Sequence, residues 1–128
     1  VLFRSVRVDV FVREQLVPES LEWDGTDPDC LHVLARSDTG EAVGTGRLLP
    51  DGHIGRMAVL APWRGRGVGS ALLSRLVEVA RARGDGRVVL NAQVHAIGFY
   101  ERHGFAAEGA EFMDAGIPHR TMRLTFLS

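Results

Sequence analysis

Apolar positions along this chain change period near its middle, and the change divides the architecture the sequence predicts. Residues 31–36, 41–49 and 53–60 are short runs rich in Val, Leu and Ile, separated by Asp38-Thr39-Gly40 and Pro50-Asp51-Gly52. Short runs split by turn formers predict three strands in an antiparallel meander. From Val68 onward the apolar residues fall instead at Leu72, Leu76, Val79 and Ala80, with Ser74, Arg75, Glu78 and Arg81 on the other side. That is the stripe of an amphipathic helix, which Gly84 ends. Residues 87–91 then read as a largely apolar strand of the kind buried on both faces. Strand, helix and strand in this order predict a right-handed parallel crossover. A short helix is expected over 96–103, stopped by Gly104. A strand is expected from Phe105, and a final one over 120–126.

The first twenty residues carry two periods at once. Val6, Val8, Val10 and Val12 alternate with Arg7, Asp9, Phe11 and Arg13, as in a strand, while Phe3, Val6 and Val10 also lie on one helix face. Periodicity alone leaves both open. From Pro18 to Asp29 the chain reads as irregular, closing on the turn-forming cluster Asp24-Gly25-Thr26-Asp27-Pro28-Asp29. The fold class expected is therefore α/β (α+β), one domain over 1–128, with a mixed central sheet flanked by helices.

Composition narrows the function. With 45% hydrophobic and 24% charged residues the chain has a globular balance. A net charge of −1 with no basic stripe argues against a general nucleic-acid or membrane-surface binder. Cys30, the single cysteine, has no partner for an intramolecular disulfide, which fits a cytoplasmic location. No apolar run reaches transmembrane length, and the first residues do not show a signal-peptide pattern. Metal binding is not expected, because His32, His53, His95, His103 and His119 show no paired ligand spacing. Trp23 and Trp63 read as packing residues.

The chemistry concentrates where the third strand meets the amphipathic helix, at Arg64-Gly65-Arg66-Gly67-Val68-Gly69-Ser70. Glycines let the backbone take unusual dihedrals and let a ligand come close. The first N–H groups of a helix lack intrahelical partners, and the helix dipole favours an anion there. Arg64 and Arg66 add charge suited to phosphate. The turn lacks the Gly-Lys-Ser/Thr of a nucleoside-triphosphate loop. It also lacks the third glycine of a dinucleotide fingerprint, and Asn91 and Gln93 stand where that fold has an acid.

Arg64, Gly67 and Gly69 at this turn resemble the signature of the GNAT superfamily of acetyl-CoA-dependent N-acetyltransferases. Leu90-Asn91-Ala92-Gln93 and Ala96-Ile97-Gly98-Phe99-Tyr100-Glu101-Arg102-His103-Gly104-Phe105 resemble the family's segment near the cofactor thiol. Val10-Phe11-Val12-Arg13-Glu14-Gln15 and Gly116-Ile117-Pro118-His119 resemble its ElaA-like branch. The resemblance implies that the segment up to about Gln15 is helical and that a strand precedes it. This chain does not supply that strand, so its N-terminal strand is expected to be missing.

The resemblance further implies an enzyme moving acetyl from acetyl-CoA to a primary amine of a small molecule or peptide, by direct attack in a ternary complex. Gly65, Arg66, Gly67, Val68, Gly69 and Ser70, with Arg64, would hold the pyrophosphate. Met57, Ala58 and Val59 would pair with the pantetheine arm and offer an N–H to the thioester carbonyl, and Asn91 and Phe99 would line the cofactor path. Tyr100 is the expected acid for the departing thiolate. Glu14 or His119 is expected on the substrate side as the base, and Glu111 and Asp114 are chemically able as well. Arg13 and Arg47 could hold an acidic group on the substrate. A homodimer is compatible with the family. A non-catalytic acyl-CoA-binding module is the alternative, and it would not need Tyr100 or the substrate-side groups.

Overall fold

The structure, a computed structural model, describes residues 2–16 and 29–126. Helix α1 (Leu2–Arg7) runs without a break into a π-helical turn (Val8–Glu14). Six strands follow: β1 (Leu31–Arg36), β2 (Ala42–Leu48), β3 (His53–Val59), β4 (Arg87–Gln93), β5 (Ala106–Asp114) and β6 (Ile117–Thr125). Helix α2 (Val68–Arg83) joins β3 to β4, and α3 (Ile97–Arg102) follows a 3-10 turn (Val94–Ala96) after β4. The strands form one sheet in the order β1-β2-β3-β4-β6-β5. The expected meander and the parallel β3–β4 crossover are both present. The β5–β6 hairpin folds back so that β6, not β5, pairs with β4.

At the N-terminus helix wins over strand. As a helix the segment buries Val6 and Val10, four residues apart, against Ala58 of β3, with Phe11, Ala42 and Leu60 around them. The i→i+5 pattern continues past the element's end, where the Gln15 N–H donates to the Val10 carbonyl at 3.0 Å. The predicted irregular segment from Pro18 on, with Trp23, lies outside the described residues.

Helix α2 packs on the sheet through Leu72, Leu73, Leu76 and Ala80; of these Leu73, Leu76 and Ala80 join Leu48, Ile54, Val88, Leu90 and Met122 in the main core. Each fully buried Leu or Ile contributes about 1.5–3 kcal/mol relative to an exposed one. Every residue from 43 to 48 is buried, so β2 is covered on both faces. Close approach of α2 depends on glycines in β2. A Cβ at Gly44 would lie 2.9 Å from Val68 Cγ1 and 3.0 Å from Leu72 Cδ1. Gly44→Ala is therefore expected to cost about 1–3 kcal/mol by forcing helix and sheet apart. Denaturant unfolding checks this, with an unchanged midpoint counting against it.

Strands β4, β5 and β6 differ from the sequence reading at their boundaries. Strand β6 starts at Ile117 rather than Arg120. Its Pro118 is tolerated because the β4 ladder reaches only to the Gln93–His119 pair. Strand β4 extends past Asn91 to Gln93, and the strand expected from Phe105 starts at Ala106. Phe105 instead closes α3, its N–H donating to the Tyr100 carbonyl while its ring is buried.

Candidate active site

Strands β3 and β4 are parallel neighbours, yet only His53–Val89 and Ile54–Leu90 pair between them. Beyond these pairs the strands diverge. A bulge in β3 accompanies the split: Thr45 opposes Ala58 and Arg47 opposes Gly55, so Arg56 and Met57 together face Gly46. Arg56 takes φ 49°, a left-handed conformation uncommon for a residue with a side chain. The opening is a cleft of about 1040 Å³. Met57, Ala58, Val59, Arg64, Gly69, Asn91, Phe99, Tyr100, Glu14 and His119, all singled out from the sequence, line it. So do Arg47 and Asp114, whereas Glu111 and Arg13 do not; Arg13 pairs with Asp9 at 2.8 Å.

The glycine-rich turn sits at one end of the cleft. Gly65 and Gly67 have φ 74° and 81°, with nothing within 4 Å of a Cβ built on either. Helix α2 has Gly67 at its N-cap position and no side-chain cap, so its first N–H groups are left to another acceptor. Arg66 lies over the Trp63 ring at 5.0 Å, a cation–π contact on the exposed turn. Gly69 lies against the Phe99 ring, so that a Cβ added to it would sit 3.5 Å from Phe99 Cζ. The Ser70 hydroxyl is 3.0 Å from His103 Nε2 and so ties α2 to the end of α3. Gly65, Arg66, Gly67, Val68 and Ser70 are not part of the cleft wall itself.

Arg64 has a partner that its place in the turn does not suggest. Its guanidinium makes a bidentate pair with Glu14, at 2.6 and 2.8 Å, and its Nε donates to the Val59 carbonyl at 3.0 Å. Hydrogen bonding from Arg64 holds the Glu14 carboxyl below the usual carboxylate range, against a smaller opposing effect of burial.

Tyr100 and His119 supply the groups able to handle protons. The Tyr100 hydroxyl points to Met57 Sδ, 4.0 Å away, across the cleft from α3 to the split part of β3. The side chain remains partly accessible along the cleft, while desolvation pushes its pKa up to about 12. His119 is buried, stacked on Phe112 with ring centroids 5.9 Å apart. Its Nδ1 lies 2.7 Å from the Ile117 carbonyl oxygen. A carbonyl can only accept, so Nδ1 carries the hydrogen and Nε2 of the neutral ring keeps the lone pair. The Asn91 side-chain Oδ1 accepts from the Thr121 hydroxyl at 3.0 Å.

A further cluster has no counterpart in the sequence reading. The amides of Gln15 and Gln93 bond to each other at 3.0 and 3.3 Å, and His95 Nε2 lies 2.7 Å from the Gln93 oxygen. Nothing local marks it, since Gln15 and Gln93 are 78 positions apart. Among the described residues, no group of three or more His, Cys, Asp or Glu converges to hold a metal ion, and no helix is long and apolar enough to cross a membrane.

The mixed sheet thus splits beside an uncapped glycine turn, and a phenol and an imidazole line the opening. The sequence profile of the acetyltransferase (GNAT) domain matches residues 3–126. An N-acetyltransferase of Bacillus subtilis, YjcF, whose role is uncharacterized, is 39% identical over 121 residues, covering 91% of this chain and 86% of its own. Among solved structures, an acyl-CoA N-acyltransferase from Pseudomonas aeruginosa superposes with TM-score 0.84 at 34% identity, covering 95% of this chain and 87% of its own. Escherichia coli ElaA does so with TM-score 0.84 at 32% identity, covering 95% and 86%. The chain belongs to the GNAT acetyltransferase family and is an acetyltransferase.

Proposed function

We propose that this enzyme transfers acetyl from acetyl-CoA to a primary amine of a small molecule or peptide, by direct attack in a ternary complex. The observation that carries the reading is the split of β3 from β4 between the uncapped turn and the Tyr100–His119 end of the cleft. Acetyl-CoA, when bound, would supply the acetyl group as a thioester. The open glycine backbone at Gly65 and Gly67 and the first N–H groups of α2 suit its pyrophosphate, with Arg66 adding charge. Arg64 is engaged by Glu14, so its part at the turn is chiefly through its backbone. The edge of Met57, Ala58 and Val59 that β4 does not pair suits the pantetheine amides, and an N–H there would polarise the carbonyl.

His119 is assigned as the base, directly or through water. Its Nε2 lone pair takes a proton from the amine as nitrogen attacks the carbonyl carbon. Glu14 is not assigned this step, because Arg64 keeps its carboxylate ionised but weakly basic. As the carbon–sulfur bond breaks, the Tyr100 phenol donates a hydrogen bond to the sulfur. Outright proton transfer from a phenol at about 12 to a thiolate whose conjugate acid is near 8.5 is uphill by ~5 kcal/mol. Tyr100 therefore stabilises the thiolate, which leaves as the thiol after taking a proton from solvent or from the protonated base. Cys30 is not among the cleft residues, which supports direct transfer over an acyl-cysteine route.

Acetyl-CoA consumption across a panel of amines tests the reading, alongside calorimetry with coenzyme A, ATP and NAD. Preference for a nucleotide over coenzyme A, or cofactor binding without turnover of any amine, would overturn it. Gly67→Ala should weaken coenzyme A binding about tenfold, since a side chain in the left-handed region costs roughly 1–2 kcal/mol and the turn relaxes to avoid it. Calorimetry reads this directly, and unchanged affinity would remove the turn from the binding site.

A further inference from the structure

Two consecutive residues at the end of the π-helical turn reach opposite lips of the cleft. Glu14 pairs with Arg64, just past the end of β3, and Gln15 bonds Gln93, the last residue of β4. These are the two strands whose ladder stops at Ile54–Leu90. The turn that carries both residues is itself rooted in the sheet, because Val10 packs on Ala58 of β3 and accepts a bond from the Gln15 N–H.

We propose that Glu14 and Gln15 form a cross-brace that sets the width of the cleft, making Glu14, Gln15 and Gln93 positioning residues for the transfer. The proposal rests on the reading of this cleft as the site of acetyl transfer. The brace acts by holding the wall with the glycine turn at a set distance from the wall with Gln93, whose ladder partner is His119. Reaction between two bound molecules is steep in their separation, so a wall free to move lowers the rate without touching the reacting atoms. Attraction alone would make a poor brace, as both members of the Glu14–Arg64 pair are 42% exposed and such pairs are weak. Geometry makes it a good one. The pair is bidentate, a third bond from Arg64 to the Val59 carbonyl fixes the guanidinium plane, and the amide pair is partly buried and doubly bonded. His95 Nε2 also lies 2.7 Å from the Gln93 oxygen, adding a further polar contact to the amide pair.

Hydrogen exchange on the full chain, with Glu14→Ala, Gln15→Leu and Gln93→Leu, tests the brace. Gln15→Leu and Gln93→Leu cut the same contact from opposite sides, and each is expected to raise exchange about tenfold both at 8–15 and at 91–95. Glu14→Ala is expected to raise exchange at 8–15 and at 60–64 by a similar factor of about ten. For the amine that the unmodified chain acetylates best, each variant should raise the amine KM and lower kcat, together costing about tenfold or more in kcat/KM. Coenzyme A affinity by calorimetry should stay within about threefold, a split that general unfolding would not produce. Unchanged exchange at 91–95 in both amide variants would overturn the brace, and so would raised exchange with unaltered amine kinetics. Failure of the transfer reading shows separately, as an unmodified chain that acetylates no amine.

Discussion

His119→Asn is expected to lower kcat/KM for the amine by about a hundredfold or more, in the range that loss of a positioned base produces. Asparagine can still donate to the Ile117 carbonyl that His119 Nδ1 contacts at 2.7 Å, so the local bond at the start of β6 has a replacement. What asparagine lacks is a basic lone pair at the place of Nε2. The pH–rate profile gives a second readout. Without the base, activity should follow the free amine itself and rise towards its pKa, ~10.4 for a lysine-type amine. Thermal unfolding separates chemistry from packing, since His119 is buried and stacked on Phe112. A folded His119→Asn protein with nearly unchanged kcat/KM and pH profile would remove His119 from the reaction.

Tyr100→Phe is expected to lower kcat about ten- to a hundredfold with little change in the KM for acetyl-CoA, as loss of an interaction made with developing charge should. The ring would remain to pack against Phe99 and Phe105, whose centroids lie 5.0 and 6.0 Å away, so the fold should survive. Tyr100 is the chain's one tyrosine, which makes its ionisation readable without interference from another phenol. Tyrosinate absorbance should titrate near 12 in the folded protein and near ~10 once unfolded. The sign follows from linkage. A phenol with a raised folded pKa is neutral in both states below ~10, and the folded state loses stability as pH rises from there through about 12. A folded-state midpoint close to the unfolded one would contradict the desolvated setting, and an unaltered kcat in Tyr100→Phe would sink its role at the sulfur.

Much of the scaffold is legible along the chain. The runs at 31–36 and 53–60 and the stripe through Leu72, Leu76 and Ala80 record burial on one face or two, and burial repeats at the period of the backbone. The β1, β2, β3 and α2 boundaries accordingly fall within a residue of expectation. The N-terminal segment is ambiguous in sequence because Val6, Val8, Val10 and Val12 alternate as in a strand while Phe3, Val6 and Val10 share a helix face, and packing of Val6 and Val10 on Ala58 decides it. Pro118 hides the start of β6, since a proline reads as a ladder break unless the neighbouring strand has already ended. At the site, residue types and spacing point to the turn, while the family resemblance is what singles out Tyr100, Glu14 and His119. They do not disclose that Glu14 is paired to Arg64.

Sequence by itself determined the class of scaffold and the place of the glycine turn, because both depend on local backbone freedom and on apolar periodicity. Tertiary structure alone decided how that scaffold becomes a site. The split of β3 from β4 is accompanied by a bulge at Arg56 and Met57 that no period announces. Glu14 meets Arg64 across 50 positions and Gln15 meets Gln93 across 78. Contacts between such distant segments leave no mark in the residues between them. The raised pKa of Tyr100 likewise comes from desolvation by burial, which exists only once the chain has closed around the ring.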